Sequence, residues 1–246
     1  MYDRYPCIHV GSDTDCFSGW SEIGAVLQTP LGSHNRLVIE CYPGVFTEEV
    51  QHALTQALPD ASFLCTDQLL RTPEEIEAML APSLTNDPVF GVMNSCEIID
   101  FFDKEKLAAA QQRCSRMSDE VLVILGTGAS LVCREPNLLV YADLARWEIQ
   151  QRQRRNEIGN FGADNLRDRP SLKYKRAYFA DWRAADRLKI RLFDRIDVLL
   201  DTNLPNQPKA ITGDVFRRSL EEIVKRPFRV VPLFDPGLWG GHWMER

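Results

Sequence analysis

The run Arg36-Leu37-Val38-Ile39-Glu40-Cys41, followed by Tyr42-Pro43-Gly44-Val45-Phe46 and then Thr47 through Leu58, decides the reading of the fold. An apolar segment of strand length meets a Pro-Gly turn and gives way to a helix. Thr47 is expected to cap that helix, with Glu48 and Glu49 in the first turn, where the macrodipole favours negative charge. Val50, Ala53, Leu54, Ala57 and Leu58 fall at i, i+3, i+4, i+7 and i+8, one buried stripe. A strand, a tight turn and a helix N-terminus can bind an anion, because backbone N–H groups converge there. A phosphate loop of the form G-x-x-x-x-G-K-[ST] also needs a Lys for the phosphates and a hydroxyl for magnesium. Gly44 has no Lys behind it.

The same alternation continues on both sides. Upstream, Tyr5 to Val10 reads as a short strand and Ser18 to Gln28 as a helix. Downstream, Ala61 to Thr66 reads as a strand that leaves Asp67 at its carboxyl end, where ligands of open α/β sheets collect. Thr72-Pro73-Glu74-Glu75 is a helix start with a capping Thr, a first-position Pro and a third-position Glu. Val89 to Met93 reads as a further strand, and Asp103 opens a helix to about Met117. Val121 to Leu125 and Leu138 to Ala142 are continuous apolar runs, the pattern of strands covered on both faces. Asp143 to Arg155 is expected to be helix, residues 156 to 172 a mobile Gly- and Asn-rich loop, and Lys173 to Arg195 one long helix. Asp197 to Asp201 reads as a strand, Thr212 as the cap of a helix, and Phe228 to Leu233 as a last strand. Strands and helices alternating at this spacing predict an α/β fold, a mostly parallel open sheet with helices on both faces.

Totals narrow the function. The chain has 246 residues and a formal net charge of -6, which gives no reason to expect nucleic acid or an anionic membrane as partner. No segment approaches the roughly 18 consecutive apolar residues of a membrane span. The N-terminus lacks the apolar core of a secretion signal, so a cytoplasmic location is expected. The seven cysteines are scattered and never C-x-x-C; they read as reduced thiols, with neither a zinc framework nor a disulfide scaffold. The four histidines lie far apart, without H-x-H or H-E-x-x-H spacing, so no metal site is expected in this chain.

Three groups are candidates for chemistry. Gly44 and Thr47 of the turn are candidate anion donors, against the plain alternative of an ordinary strand-to-helix turn whose Glu48 and Glu49 repel polyanions. Gly126-Thr127-Gly128-Ala129-Ser130 starts like G-x-G-x-x-G but has Leu131 at the third position and no long helix after it, which argues against a dinucleotide site; its small residues are still expected to line a pocket. Arg146, Arg152, Arg154 and Arg155, with Lys173, Lys175 and Arg176 beyond the loop, form a candidate basic lid, since Arg presents a fixed fork of donors. The alternative is a solvated helix balanced by Glu148 and Glu157. Glu40, Asp67 and Asp143 stand at strand ends, a position that alone assigns no role.

The order of elements, with Asp100-Phe101-Phe102-Asp103 ahead of a helix and Val121–Leu125, Leu138–Ala142 and Arg146–Arg155 after it, resembles the uridine kinase and phosphoribulokinase family over roughly residues 36 to 200. The resemblance implies a P-loop-kinase-like domain with a degenerate phosphate loop. A second stretch, Arg226-Pro227-Phe228-Arg229-Val230-Val231-Pro232-Leu233-Phe234-Asp235-Pro236-Gly237-Leu238-Trp239-Gly240-Gly241-His242-Trp243-Met244, resembles the entry into the cupin part of bacterial mannose-6-phosphate-isomerase-like proteins. Tyr141 to Glu148 and Lys173 to Trp182 resemble the kinase-like module that precedes the cupin in some of them. Together these imply an N-terminal extension over 1–35, a kinase-like domain over 36–225 and a linker over 226–246 toward a cupin-like partner domain, the place where zinc would be bound. The expectation is a non-catalytic or weakly binding module, with a sugar phosphate or nucleotide held by Gly44, Thr47, Asp67, Arg152, Arg154, Arg155 and Lys173, without a cofactor of its own, and with homodimerisation as an option. The alternatives are an active small-molecule kinase using Mg-ATP, with Asp67 as base and the Arg cluster as clamp, and a structural dimerisation module.

Overall fold

The computed structural model describes residues 16–28, 36–116 and 120–225. The expected strands at Tyr5–Val10 and Phe228–Leu233, and the stretch Arg226–Met244, lie outside them. Among the described residues the strands are β1 (Cys16–Ser18), β2 (Arg36–Cys41), β3 (Ser62–Cys65), β4 (Leu122–Gly126), β5 (Leu138–Asp143), β6 (Val198–Asp201) and β7 (Lys209–Thr212). The helices are α1 (Gly19–Gln28), α2 (Thr47–Ala57), α3 (Pro73–Leu84), α4 (Lys104–Arg116), α5 (Ala129–Val132), α6 (Arg146–Arg154), α7 (Pro170–Arg176), α8 (Trp182–Leu192) and α9 (Gly213–Val224).

The strands form one sheet in the order β1-β7-β6-β5-β2-β4-β3. From β6 to β3 every pairing is parallel. β7 runs antiparallel to β6, and β1 antiparallel to β7. The expected α/β class with a mostly parallel sheet is therefore observed. Each residue of β4 is buried, as is Leu37 through Cys41 of β2; since side chains alternate across a strand, burial of both sets means that both faces are covered. The chain leaves β2 for β3 on one side, returns through β4, and crosses to β5 on the other. That reversal of direction around β2 is the topological switch point, where open sheets leave a crevice at the carboxyl ends of the strands.

Several expectations shift. Residues 16–28 join the sheet through β1 and continue into α1, and the Trp20 indole donates to Glu49 Oε1 of α2 at 3.1 Å. Thr47 is the first residue of α2, and Phe46 before it makes no side-chain cap. The cap at α3 forms as a full capping box: Thr72 Oγ1 accepts from the Glu75 amide at 3.3 Å and Glu75 returns the favour at 2.9 Å. Val89–Met93 is no strand; it has no partner strand and leaves Val89, Phe90 and Val92 exposed. The long helix after the loop is divided, because a π-turn at Ala177–Asp181 separates α7 from α8. β7 appears where only a loop and a helix cap were expected.

Candidate functional site

A cavity of about 490 Å3 opens at the switch point. Its floor comes from the end of β2 and the turn after it, Cys41 through Val45, with Thr47 at the start of α2. One wall is the segment after β3, where Asp67, Leu70 and Arg71 face it; Thr127, just past β4, lies deep. The opposite wall is the loop from Ile158 to Asp164.

Backbone rules shape the floor. Gly44 has φ of +106°, a conformation that side chains disfavour. A Cβ there would also press on Ile158, Ile149 and Leu144 at 3.1–3.3 Å. The glycine thus lets the 158–164 wall close on the turn. The turn amides are partly committed, since the Val45 amide donates to Tyr42 O at 3.1 Å and the Tyr42 amide to Ala142 O at 2.9 Å. Behind the floor, the buried Glu40 carboxylate accepts from the Gly128 amide at 2.6 Å and the Ser130 amide at 2.8 Å, while Thr127 Oγ1 donates to Cys41 O at 2.9 Å. Gly128, at φ +82°, lies where a Cβ would meet the Phe102 ring at 2.5 Å. The glycines of the Gly126–Gly128 stretch accordingly serve packing. Burial pushes Glu40 up to about 7, outweighing the two amides that favour its charged form. Glu40 fixes the loop after β4, and its carboxylate is spent on that contact.

Asp67 lies within a 3-10 turn at Thr66–Leu69, and Arg71 follows two residues after it. Asp67 is open to the cavity, yet the surrounding walls remove enough water to push its carboxyl above the usual range. Arg71 is pinned at its base: its amide donates to Phe101 O at 3.0 Å and its Nε to Phe102 O at 3.2 Å. Arg71 is among the residues that line the cavity.

The expected basic lid is built differently. Arg152 is fully buried and donates to Gly44 O at 2.9 Å, Thr202 O at 2.7 Å and Asn203 O at 3.4 Å, with Glu148 Oε1 at 3.3 Å and the Phe46 ring centroid at 3.9 Å. It holds the turn from behind and does not line the cavity. Arg155 pairs with Glu148 and Glu157 on the surface, and Arg154 is exposed. Lys173 is buried, donating to Asn156 Oδ1 at 2.8 Å and Leu166 O at 2.7 Å. Lys173 is spent on the loop carbonyl Leu166 O and Arg152 on carbonyls after β2 and β6, buried acceptors that need a donor.

That loop, expected to be mobile, is laced by side chains. Asn160 Nδ2 donates to Lys173 O at 3.0 Å and Asp181 Oδ2 at 2.7 Å; Asn165 Nδ2 donates to Asn160 Oδ1 at 2.9 Å. Arg176 donates to Phe161 O at 2.6 Å and pairs with Asp181 at 3.4 Å. Asp181, in the π-turn, is pushed up by burial against the pull of Arg176. Of the candidates, Gly44, Thr47 and Asp67 come together around the cavity. Arg71, Thr127, Asn160 and Asp164 join them, and sequence reasoning passed over the cation among these.

A second cavity of about 410 Å3 adjoins the first across Tyr42. Its charges are satisfied among themselves: Lys189 with Asp143 at 2.6 Å, Arg146 with Asp186, and the Tyr42 hydroxyl donating to Asp186 at 2.9 Å. Among the described residues no three His, Cys, Asp or Glu side chains group as metal ligands, and no helix is long and apolar enough to cross a membrane.

A family model described as "Domain of unknown function (DUF8485)" matches residues 19–225. No curated protein matches the chain. Among solved structures, an inferred fructose transport system kinase from Silicibacter sp. TM1040 is similar at 13% identity and TM-score 0.45, covering 68% of this chain and 94% of its own. A shikimate kinase from Bacteroides thetaiotaomicron shows 11% identity and TM-score 0.42, covering 79% and 100%. A gluconokinase from Sinorhizobium meliloti 1021 shows 15% and 0.39, covering 79% and 94%.

Proposed function

The chain belongs to the DUF8485 family, a domain of unknown function, and we propose that it is a kinase-like α/β module that binds a small hydroxylated anion, a sugar phosphate, without transferring phosphate. The observation carrying this reading is the pair Asp67 and Arg71 on one cavity wall at the switch point. A guanidinium anchored at its base offers paired donors to one phosphate, and a nearby carboxylate accepts from sugar hydroxyls. One cation suits a monophosphate better than a triphosphate. Glu48 and Glu49 at the start of α2 and the absence of a Lys after Gly44 oppose a triphosphate further, since positioning and charge neutralisation carry most phosphoryl-transfer catalysis. An accessory role beside a mannose-6-phosphate-isomerase-like region belongs to the same proposal; its support is the sequence resemblance of Arg226–Met244.

Calorimetric titration with mannose 6-phosphate, mannose and inorganic phosphate tests the reading. Saturable binding of the sugar phosphate is expected, stronger than that of either fragment. Arg71→Ala should weaken it roughly 10- to 100-fold, the scale of a lost charge-assisted bond, and Asp67→Asn should weaken the sugar phosphate but not inorganic phosphate. No saturable heat with any probe, or affinity unchanged in Arg71→Ala, rejects the site.

A further inference from the structure

The segment from Pro88 to Asn94 pairs with no strand of the sheet and lies across the end of α3 and the π-turn. The Val92 amide donates to Ser83 O at 2.7 Å and the Asn94 amide to Phe179 O at 2.8 Å, which fixes the segment in place. Its apolar side chains face outward: Phe90 is 71% exposed, Val89 63% and Val92 61%, and Met93 is open as well. Beside them Tyr174 of α7 and Tyr178 of the π-turn are also exposed. Tyr178 stands edge-on to Phe179 with 5.0 Å between ring centroids, and Pro88, Phe90, Tyr174, Tyr178 and Phe179 enclose a groove of about 290 Å3. A cavity of about 150 Å3 already admits a benzene ring, so this groove accepts an aromatic side chain.

The two ends of this face differ in charge. Toward the start of α7 it is acidic: Glu74, Glu77, Asp164 and Asp168, against the two cations Lys175 and Arg176, line a neighbouring cavity of about 470 Å3 that shares Lys175 with the groove. Toward α8 it is basic, where the Arg183 guanidinium sits over the Tyr178 ring, 5.4 Å from its centroid.

We propose that two copies of the chain pair through this face about a two-fold axis, each Phe90 seated in the groove of the other. A protruding ring and a hole that fits it, side by side on one patch, are what a self-complementary contact requires. A two-fold turn also sets the acidic end of each copy against Arg183 of the other, the arrangement that fixes register. The area suffices. At the usual size of such side chains, Val89, Phe90, Val92, Met93, Tyr174 and Tyr178 expose roughly 500 Å2 of apolar surface. Pairing therefore removes roughly 1,000 Å2 before any rim residue is counted, the area at which specific interfaces begin. The four carboxylates at one end disfavour an anionic membrane as the occupant. This inference is independent of what the cavity at the switch point binds.

Sedimentation velocity on the full chain from about 1 to about 100 μM, a span in which interfaces of this size associate, tests the pairing. The mass should rise with concentration from the 28.1 kDa of one chain toward twice that value. Phe90→Asp carries a charge into the groove and should weaken association at least about 10-fold. Because Phe90 lies on the surface, the melting temperature of the dilute variant should stay within about a degree of wild type. In a mixture of ordinary and isotope-labelled chains, a photo-cross-linking benzophenone at position 90 should join one chain to residues 170–179 of another. A single-chain mass throughout the range overturns the proposal and leaves the face to a different protein. Association unchanged by Phe90→Asp, or cross-links that stay within one chain, overturns it as well.

Discussion

Arg152→Ala should unfold far below the wild-type temperature, by roughly 10 °C, with Arg155→Ala nearly unchanged. The expectation follows from where each guanidinium sits. Arg152 donates to Gly44 O and also serves Thr202 O and Asn203 O, tying the turn after β2 to the segment after β6. Truncation takes the guanidinium from these carbonyls, removes one of the two cations paired with Glu148 and opens a void against the Phe46 ring. Removing one member of such a buried charged network costs about 3–5 kcal/mol, and about 1 kcal/mol moves the melting point by roughly 2–4 °C at this chain length. Arg155 pairs with Glu148 and Glu157 at the surface, where water and salt screen most of the gain. Scanning calorimetry of the two variants distinguishes a structural Arg152 from a ligand clamp. A clamp would leave the melting temperature of Arg152→Ala within a degree of wild type.

Glu40→Gln should change the pH dependence of stability rather than simply lower it. Burial raises Glu40 from its ordinary 4.5 to about 7 in the folded chain. Between those values the folded state keeps a proton that the unfolded state has released, so this residue's contribution is fully present below about pH 4.5 and is lost as pH rises through about 7. The shift corresponds to about 3 kcal/mol, an order-of-magnitude figure at 1.36 kcal/mol per pKa unit. Gln keeps the shape but turns an N–H2 toward one of the two amides of Gly128 and Ser130, which costs about 1–3 kcal/mol and does not titrate. Urea unfolding should therefore show the variant clearly less stable than wild type at pH 5, with the gap narrowing or reversing by pH 8. A gap independent of pH would mean that Glu40 is ionised throughout, held by its two amides.

How much the sequence revealed depends on how each element is held. β2, β4 and β5 are continuous apolar runs because both faces of the sheet are covered, and such runs are visible without any partner. The α3 start is legible because Thr72, Pro73 and Glu75 act within four residues. β7 is Lys209-Ala210-Ile211-Thr212, too short and mixed to signal a strand; it exists because β6 and β1 flank it. Val89 to Met93 has the opposite character, apolar enough for a strand but paired with none of the sheet's strands. The π-turn at Ala177–Asp181 inserts one residue into an otherwise unbroken helical pattern, which composition does not register. At the site, the Pro43-Gly44 turn and Asp67 were found from position along the chain. The basic lid was misplaced because counting cations cannot tell which face loop carbonyls that must be satisfied. Arg71, a single cation between Leu70 and the Thr72 cap, gave no cluster to notice; the capping box fixes it by starting α3 immediately after it.

The central claim, that the cavity holds a phosphorylated sugar without phosphoryl transfer, is met most directly by phosphorus NMR on the whole chain at stoichiometric concentration with mannose 6-phosphate, mannose and magnesium ATP. The account predicts that the sugar-phosphate resonance shifts saturably with wild type and not with Arg71→Ala, while the three ATP resonances persist at the rate of a protein-free control. Growth of ADP together with inorganic phosphate or a new phosphomonoester, above that control and abolished by Asp67→Asn, would contradict it and establish a kinase.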